Sequence, residues 1–231
     1  MSSSHSIILS QQVAALNDEG VTLLSQGGEQ SRLAFKYFSE ALRHVQEISK
    51  CPMLPGDLDD LPSISGGSII DTLNDDTHFF VYNQAFVVYP LHPDESMTSN
   101  HVYLYLSALL FNVSLTFHLQ GKRMSSPFYL HEARRHYKMS LDIIHQIPMF
   151  KLSGDLIMMK ALALNNLCAI HMQLSEIPEF CEQLHEVRLL WPSVLAGGCR
   201  FAAFAKRGLL GEVLLNTLVS SPSDCSCAPC A

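Results

Sequence analysis

The sequence predicts an all-α protein: an array of antiparallel helix pairs, about seven helices in all, with an inserted loop after the first pair. Three observations lead there. Apolar residues recur at helical spacing over most of the chain. The stretch LAFKYFSEAL at 33–42 is matched by EARRHYKMSL at 132–141, which sets Ala34 under Ala133, Phe38 under Tyr137, Ala41 under Ser140 and Leu42 under Leu141. Between the two lies CPMLPGDLDDLPSISGGSIIDTLNDD, whose six aspartates, three prolines and absence of Lys or Arg read as loop.

The helices are expected near 10–26, 31–50, 100–120, 128–147, 155–174, 177–191 and 198–219. Gly27-Gly28, Gly121 and Gly197-Gly198 supply the breaks, and Pro148 and Pro192 close helices that a proline cannot continue. After the acidic loop, HFFVYNQAFVVYP is rich in aromatic and β-branched residues around Asn83-Gln84. It reads as a small β-hairpin, with a short helix as the alternative. This divides the chain into a first helix pair (10–50), an insertion (51–99), the remaining helices (100–220) and a Cys-containing tail (221–231) expected to be disordered.

The matching stretches each form the second helix of a pair. On the first helices a large residue precedes a small one by four: Leu16 before Gly20 with Leu23 beyond, Leu110 before Ser114 with Phe117, Leu164 before Cys168 with His171. Positions four apart share a helix face. Small residues let two helices approach to the short end of the usual range, and the aromatic one turn along fills the space beside them. The residues expected to pack the pairs are Gly20, Ala34, Phe38, Ala41, Ser114, Ala133, Tyr137, Ser140 and Cys168.

This pattern resembles the tetratricopeptide repeat, with its large, small and aromatic residues on helix A, then Ala-x3-Phe and a proline on helix B. LNNLCAIHMQL, 164–174, looks like a helix A, with Phe180, Leu184, Val187 and Pro192 following as its helix B. The resemblance covers residues 10–50 and 100–192. The sequence departs from it in the longer loops of the first two repeats, their missing prolines, and the large Phe180 and Val187 in the third. The resemblance implies a right-handed array and a non-catalytic scaffold that binds a peptide or helix along its A helices. Asn17, Asn112, Asn165 and Asn166 beside the small residues are the candidate peptide-binding amides. Asparagine is a mediocre helix former, and its carboxamide can both donate to and accept from an extended backbone. Bonding to neighbouring helices within the fold is the equal alternative. His118, Met172 and Gln173 would share the same wall.

Chemistry is sparse. In HEARRH, 131–136, the histidines stand five apart and diverge by about 140° around a helix, so the zinc-protease geometry fails. CSCAPC, 225–230, reads as free thiols on a frayed end, and no metal or other cofactor is expected. No phosphate loop or nucleophile elbow occurs, so the chain is not expected to be an enzyme. The competing class is a helical bundle with a small-molecule or enzymatic site that no motif reveals.

Partners are bounded by charge. A net charge of −7 argues against nucleic acid or an acidic membrane surface. Only 16% of residues are charged, against about 25% in an ordinary domain, so apolar surface is either buried or meets a partner. Residues 102–119 carry no charged residue, but polar side chains interrupt them, and a core helix rather than a membrane span is expected. Scattered cysteines and an amino terminus unlike a signal peptide suggest an intracellular protein, cytoplasmic or nuclear. The last helix would leave Phe204, Leu210 and Leu214 on an apolar face that docks a partner, most simply a second copy.

Overall fold

The computed structural model describes residues 3–49, 83, 85–90, 92, 98–147 and 154–196. Among them are six helices and no strand: α1 (Ser3–Gln26), α2 (Gln30–Ser49), α3 (Ser99–Met124), α4 (Pro127–His145), α5 (Gly154–Gln173) and α6 (Ile177–Ala196). The fold is all-α. The expected seventh helix, its Phe204, Leu210 and Leu214, the CSCAPC tail and most of the acidic insertion lie outside the described residues.

The helices divide into two compact units. One comprises α1, α2, residues 85–90, α3 and α4 as far as Ile143; the other runs from Ile144 through α5 and α6.

In the first unit α1 turns into α2 over Gly27 and Gly28, both left-handed with φ of 67° and 65°, a conformation that glycine adopts without strain. The two helices meet at Gly20. A Cβ added there would lie 2.5 Å from Phe38 Cε1, so the Phe38 ring occupies the space a side chain would need. Ala34, Phe38 and Ala41 are fully buried on the facing side of α2. Phe35 of α2 meets Phe117 of α3 with ring centroids 5.2 Å apart.

A capping box starts α3: the Thr98 hydroxyl accepts from the His101 N–H, and His101 Nδ1 accepts from the Thr98 N–H. The helix does not break at Gly121, as expected, but runs on to Met124. Gly121 serves helix packing instead, because a Cβ there would sit 2.8 Å from Leu130 Cδ2 of α4. The turn is made by Ser125, at φ 49°, whose neighbour Ser126 donates its N–H back to the Gly121 carbonyl. α4 lies on α3 through Ser140, whose hydroxyl donates to the Ser107 carbonyl (3.0 Å), and through Tyr137, edge-on to Phe111 at 5.2 Å. Ala133, Tyr137, Ser140 and Ser114 are all fully buried. Over His101–Met124 α3 is long and apolar enough to cross a membrane, but 78% of its most apolar window is buried inside the protein. A core helix has that character.

In the second unit Cys168, Ala169, Phe180 and Leu184 form the contact between α5 and α6, with Met172 and Cys181 at its edge. Lys160 of α5 is ion-paired to Glu186 of α6 at 2.8 Å, and His145 approaches the same carboxylate at 3.6 Å. α6 corrects a second expected boundary. Pro192 lies inside the helix, which continues to Ala196. Proline forfeits one backbone bond, and near a helix end, with the residue exposed, that loss is local. Cys168 is a free, buried thiol, whereas Cys181 is disulfide-bonded.

On an unconstrained helix Gly→Ala stabilises by up to about 1 kcal/mol. At Gly20 the sign should reverse, with Gly20→Ala lowering stability by about 1–3 kcal/mol through the clash with Phe38. Ala34→Leu and Ala133→Leu should cost as much. Urea midpoints of the three variants check this.

Candidate functional site

The site is built on residues 85–90. A β-hairpin was expected here, but these residues pair with no strand, and no backbone–backbone hydrogen bond reaches them among the described residues. Burial alternates along them: Phe86 and Val88 are buried, Ala85 and Val87 half-buried. That is the two-residue period of an extended chain with one face turned inward.

What replaces a partner strand is a pair of carboxamides. The Phe86 N–H donates to Asn112 Oδ1 of α3 at 2.7 Å. The Phe86 carbonyl accepts from Asn112 Nδ2 at 2.8 Å and from Asn17 Nδ2 of α1 at 2.9 Å. Asn112 Nδ2 donates its other hydrogen to Asn17 Oδ1, also at 2.8 Å. Both asparagines are 0% exposed. One carboxamide thus serves both backbone groups of a single residue, and a second fills the remaining lone pair of the carbonyl. A buried peptide group left unpaired would cost about 1–3 kcal/mol, so the two amides let Phe86 enter the interior. Its ring, 2% exposed, meets the Phe111 ring edge-on at 4.7 Å. Farther along, the Tyr105 hydroxyl donates to the Tyr89 carbonyl at 2.6 Å, while the Tyr89 side chain is exposed.

Of the residues chosen from sequence, the structure brings Asn17 and Asn112 together. His118 is fully buried away from them and meets the Tyr137 ring edge-on at 6.1 Å. Asn165, Asn166, Met172 and Gln173 belong to α5 in the second unit. The two asparagines are buried there, with Asn165 Nδ2 donating to Asn166 Oδ1 at 3.4 Å, and Met172 and Gln173 are half-buried. Sequence reasoning missed Phe86, Phe111 and Tyr105. The signal for Phe86 is the alternation Phe-x-Val ahead of α3, which suits an extended segment held by helices as well as half of a strand pair.

Elsewhere, burial shapes the titrating groups. Desolvation holds His136 below its ordinary value of 6.5, partly opposed by its Nδ1–H donating to the Glu132 carbonyl at 2.8 Å and by the Glu132 charge. The ring stacks on Phe117 at 5.4 Å. Burial also pushes the Cys168 thiol up, so it stays protonated. His171 Nδ1 bonds Glu176 at 2.6 Å. An open cleft of about 330 Å³ between α1 and α2 is lined by Gln12, Ala15, Leu16, Glu19, Glu40 and His44. Among the described residues no three His, Cys, Asp or Glu side chains are grouped to hold a metal. No known protein family, curated protein or solved structure matches the chain.

Two outcomes follow. Asn112→Ala strips Phe86 of its N–H partner and should destabilise by about 2–4 kcal/mol, more than Asn17→Ala, which leaves both Phe86 groups bonded. Chemical denaturation of the two variants tests the order. For His136 the folded state resists protonation, so the unfolded state binds more protons below about pH 6.5, and stability falls as pH drops through that value. His136 should contribute at most about 1.4 kcal/mol per pH unit to the slope, and His136→Phe should remove that contribution, measured by urea midpoints from about pH 7 to about pH 5.

Proposed function

We propose that this chain is a non-catalytic protein-interaction scaffold that binds an extended peptide through tetratricopeptide-like helix pairs. One observation carries the reading: carboxamides projecting from α1 and α3 bond both the N–H and the C=O of an extended segment. Such bonding grips the backbone whatever side chains it bears, as a peptide receptor must. Side-chain pockets then add selectivity. The small residues at the helix crossings, Gly20 against Phe38 above all, agree with the tetratricopeptide pattern of close-packed pairs. Docking of a second copy through Phe204, Leu210 and Leu214, which lie outside the described residues, is a separate part of the proposal.

Panning a random peptide library against the full chain tests this. The expected result is a family of peptides that share a pattern, bind one per chain, and lose about tenfold in affinity when a residue of α1 or α3 facing the peptide is replaced in protein that stays folded. Failure to enrich any shared pattern would overturn the scaffold reading.

A further inference from the structure

We infer that the groove between α1 and α3 takes in trans what residues 85–90 present in cis: an extended peptide with an aromatic residue followed, two places on, by valine. This rests on the scaffold reading and names its ligand class.

The first ground is the manner of holding. Among the described residues, side chains grip residues 85–90, at Phe86 from Asn17 and Asn112 and at the Tyr89 carbonyl from Tyr105. Every one of these bonds goes to backbone, so each is open to any extended chain laid in the same register. Specificity comes from the inward positions, where the Phe86 ring sits on Phe111 and Val88 is buried. The outward Tyr89 side chain is not selected.

The second ground is that the helices hold one another without the segment. Gly20 on Phe38, Phe35 on Phe117, Ser140 to the Ser107 carbonyl and Tyr137 on Phe111 all bypass residues 85–90. The amides do not depend on it wholly either. With the segment withdrawn, Asn112 Nδ2 still has Asn17 Oδ1 at 2.8 Å, and the opened groove admits water to the rest. A site that can be emptied and refilled needs both properties.

The segment in cis competes at the high effective concentration of a tethered ligand, so a free peptide meets a mostly filled groove. Weakening the tethered copy should therefore strengthen binding of the free one.

The probe is a labelled synthetic peptide of residues 83–92, NQAFVVYPLH, titrated by fluorescence anisotropy onto the full chain and onto its Phe86→Ala variant. The variant should bind the peptide at least about tenfold more tightly than wild type, one per chain. A peptide carrying the same Phe→Ala change should not bind, and adding Asn112→Ala to the variant should abolish binding. Circular dichroism reports whether the variant is folded, and Val88→Ala takes its place if it is not. A folded variant that takes the peptide no better than wild type overturns the inference, as does failure of both variants to fold, which would make the segment indispensable core. Library peptides that bind equally well to wild type and Phe86→Ala would leave the scaffold standing and sink this ligand class alone.

Discussion

A peptide group taken out of water must keep its hydrogen bonds, and in this protein that requirement falls on a segment that pairs with no strand among the described residues. Phe86 can bury its ring, worth about 1.5–3 kcal/mol, only if its own N–H and C=O are satisfied. Asn112 and Asn17 meet the demand from two different helices. Their amides must therefore stand at fixed separation, and that separation is set by how closely the helices pack. The small residues at the crossings, the aromatic rings beside them and the asparagines thus serve one geometry. Gly20 lets α1 come down on Phe38, and Phe111 lies between Phe86 and Tyr137.

Much of the helical frame was legible because periodicity reports burial directly. Ala34, Phe38 and Ala41, and likewise Ala133, Tyr137 and Ser140, stand where small and aromatic residues at helical spacing would be buried. Boundaries were less legible where one residue type has two uses. Glycine breaks a helix at Gly27, where φ is positive, but at Gly121 it admits a neighbouring helix. Proline ends many helices, yet Pro192 sits inside α6. At Gly121 the deciding information is what lies across the contact and at Pro192 it is the exposed position near the helix end, and a single sequence carries neither.

The asparagines were conspicuous for their chemistry, and the sequence allowed an external peptide or an internal contact. The described structure contains a contact that is internal by connectivity and peptide-like by geometry. The extended segment itself escaped because alternating aromatic and β-branched residues say that a chain is extended and half-buried, not what it pairs with. A carboxamide can stand in for a neighbouring strand's peptide group, and nothing in the pattern Phe-x-Val distinguishes the two.

The bonds that gather Asn17, Phe86 and Asn112 also impose an order on assembly. Asn17 and Asn112 are 95 positions apart in the chain, and Asn17 and Phe86 are 69 apart. Loop-closure entropy rises only slowly with loop length, but contacts this far apart in sequence slow folding. During synthesis α1 and α2 leave the ribosome well before α3 exists, so the Asn17 amide stays wetted while the first pair forms. Only when residue 112 has emerged can the three groups come together and water be expelled. The amide cluster is therefore a contact that the chain can complete only after α3 has been made as far as Asn112.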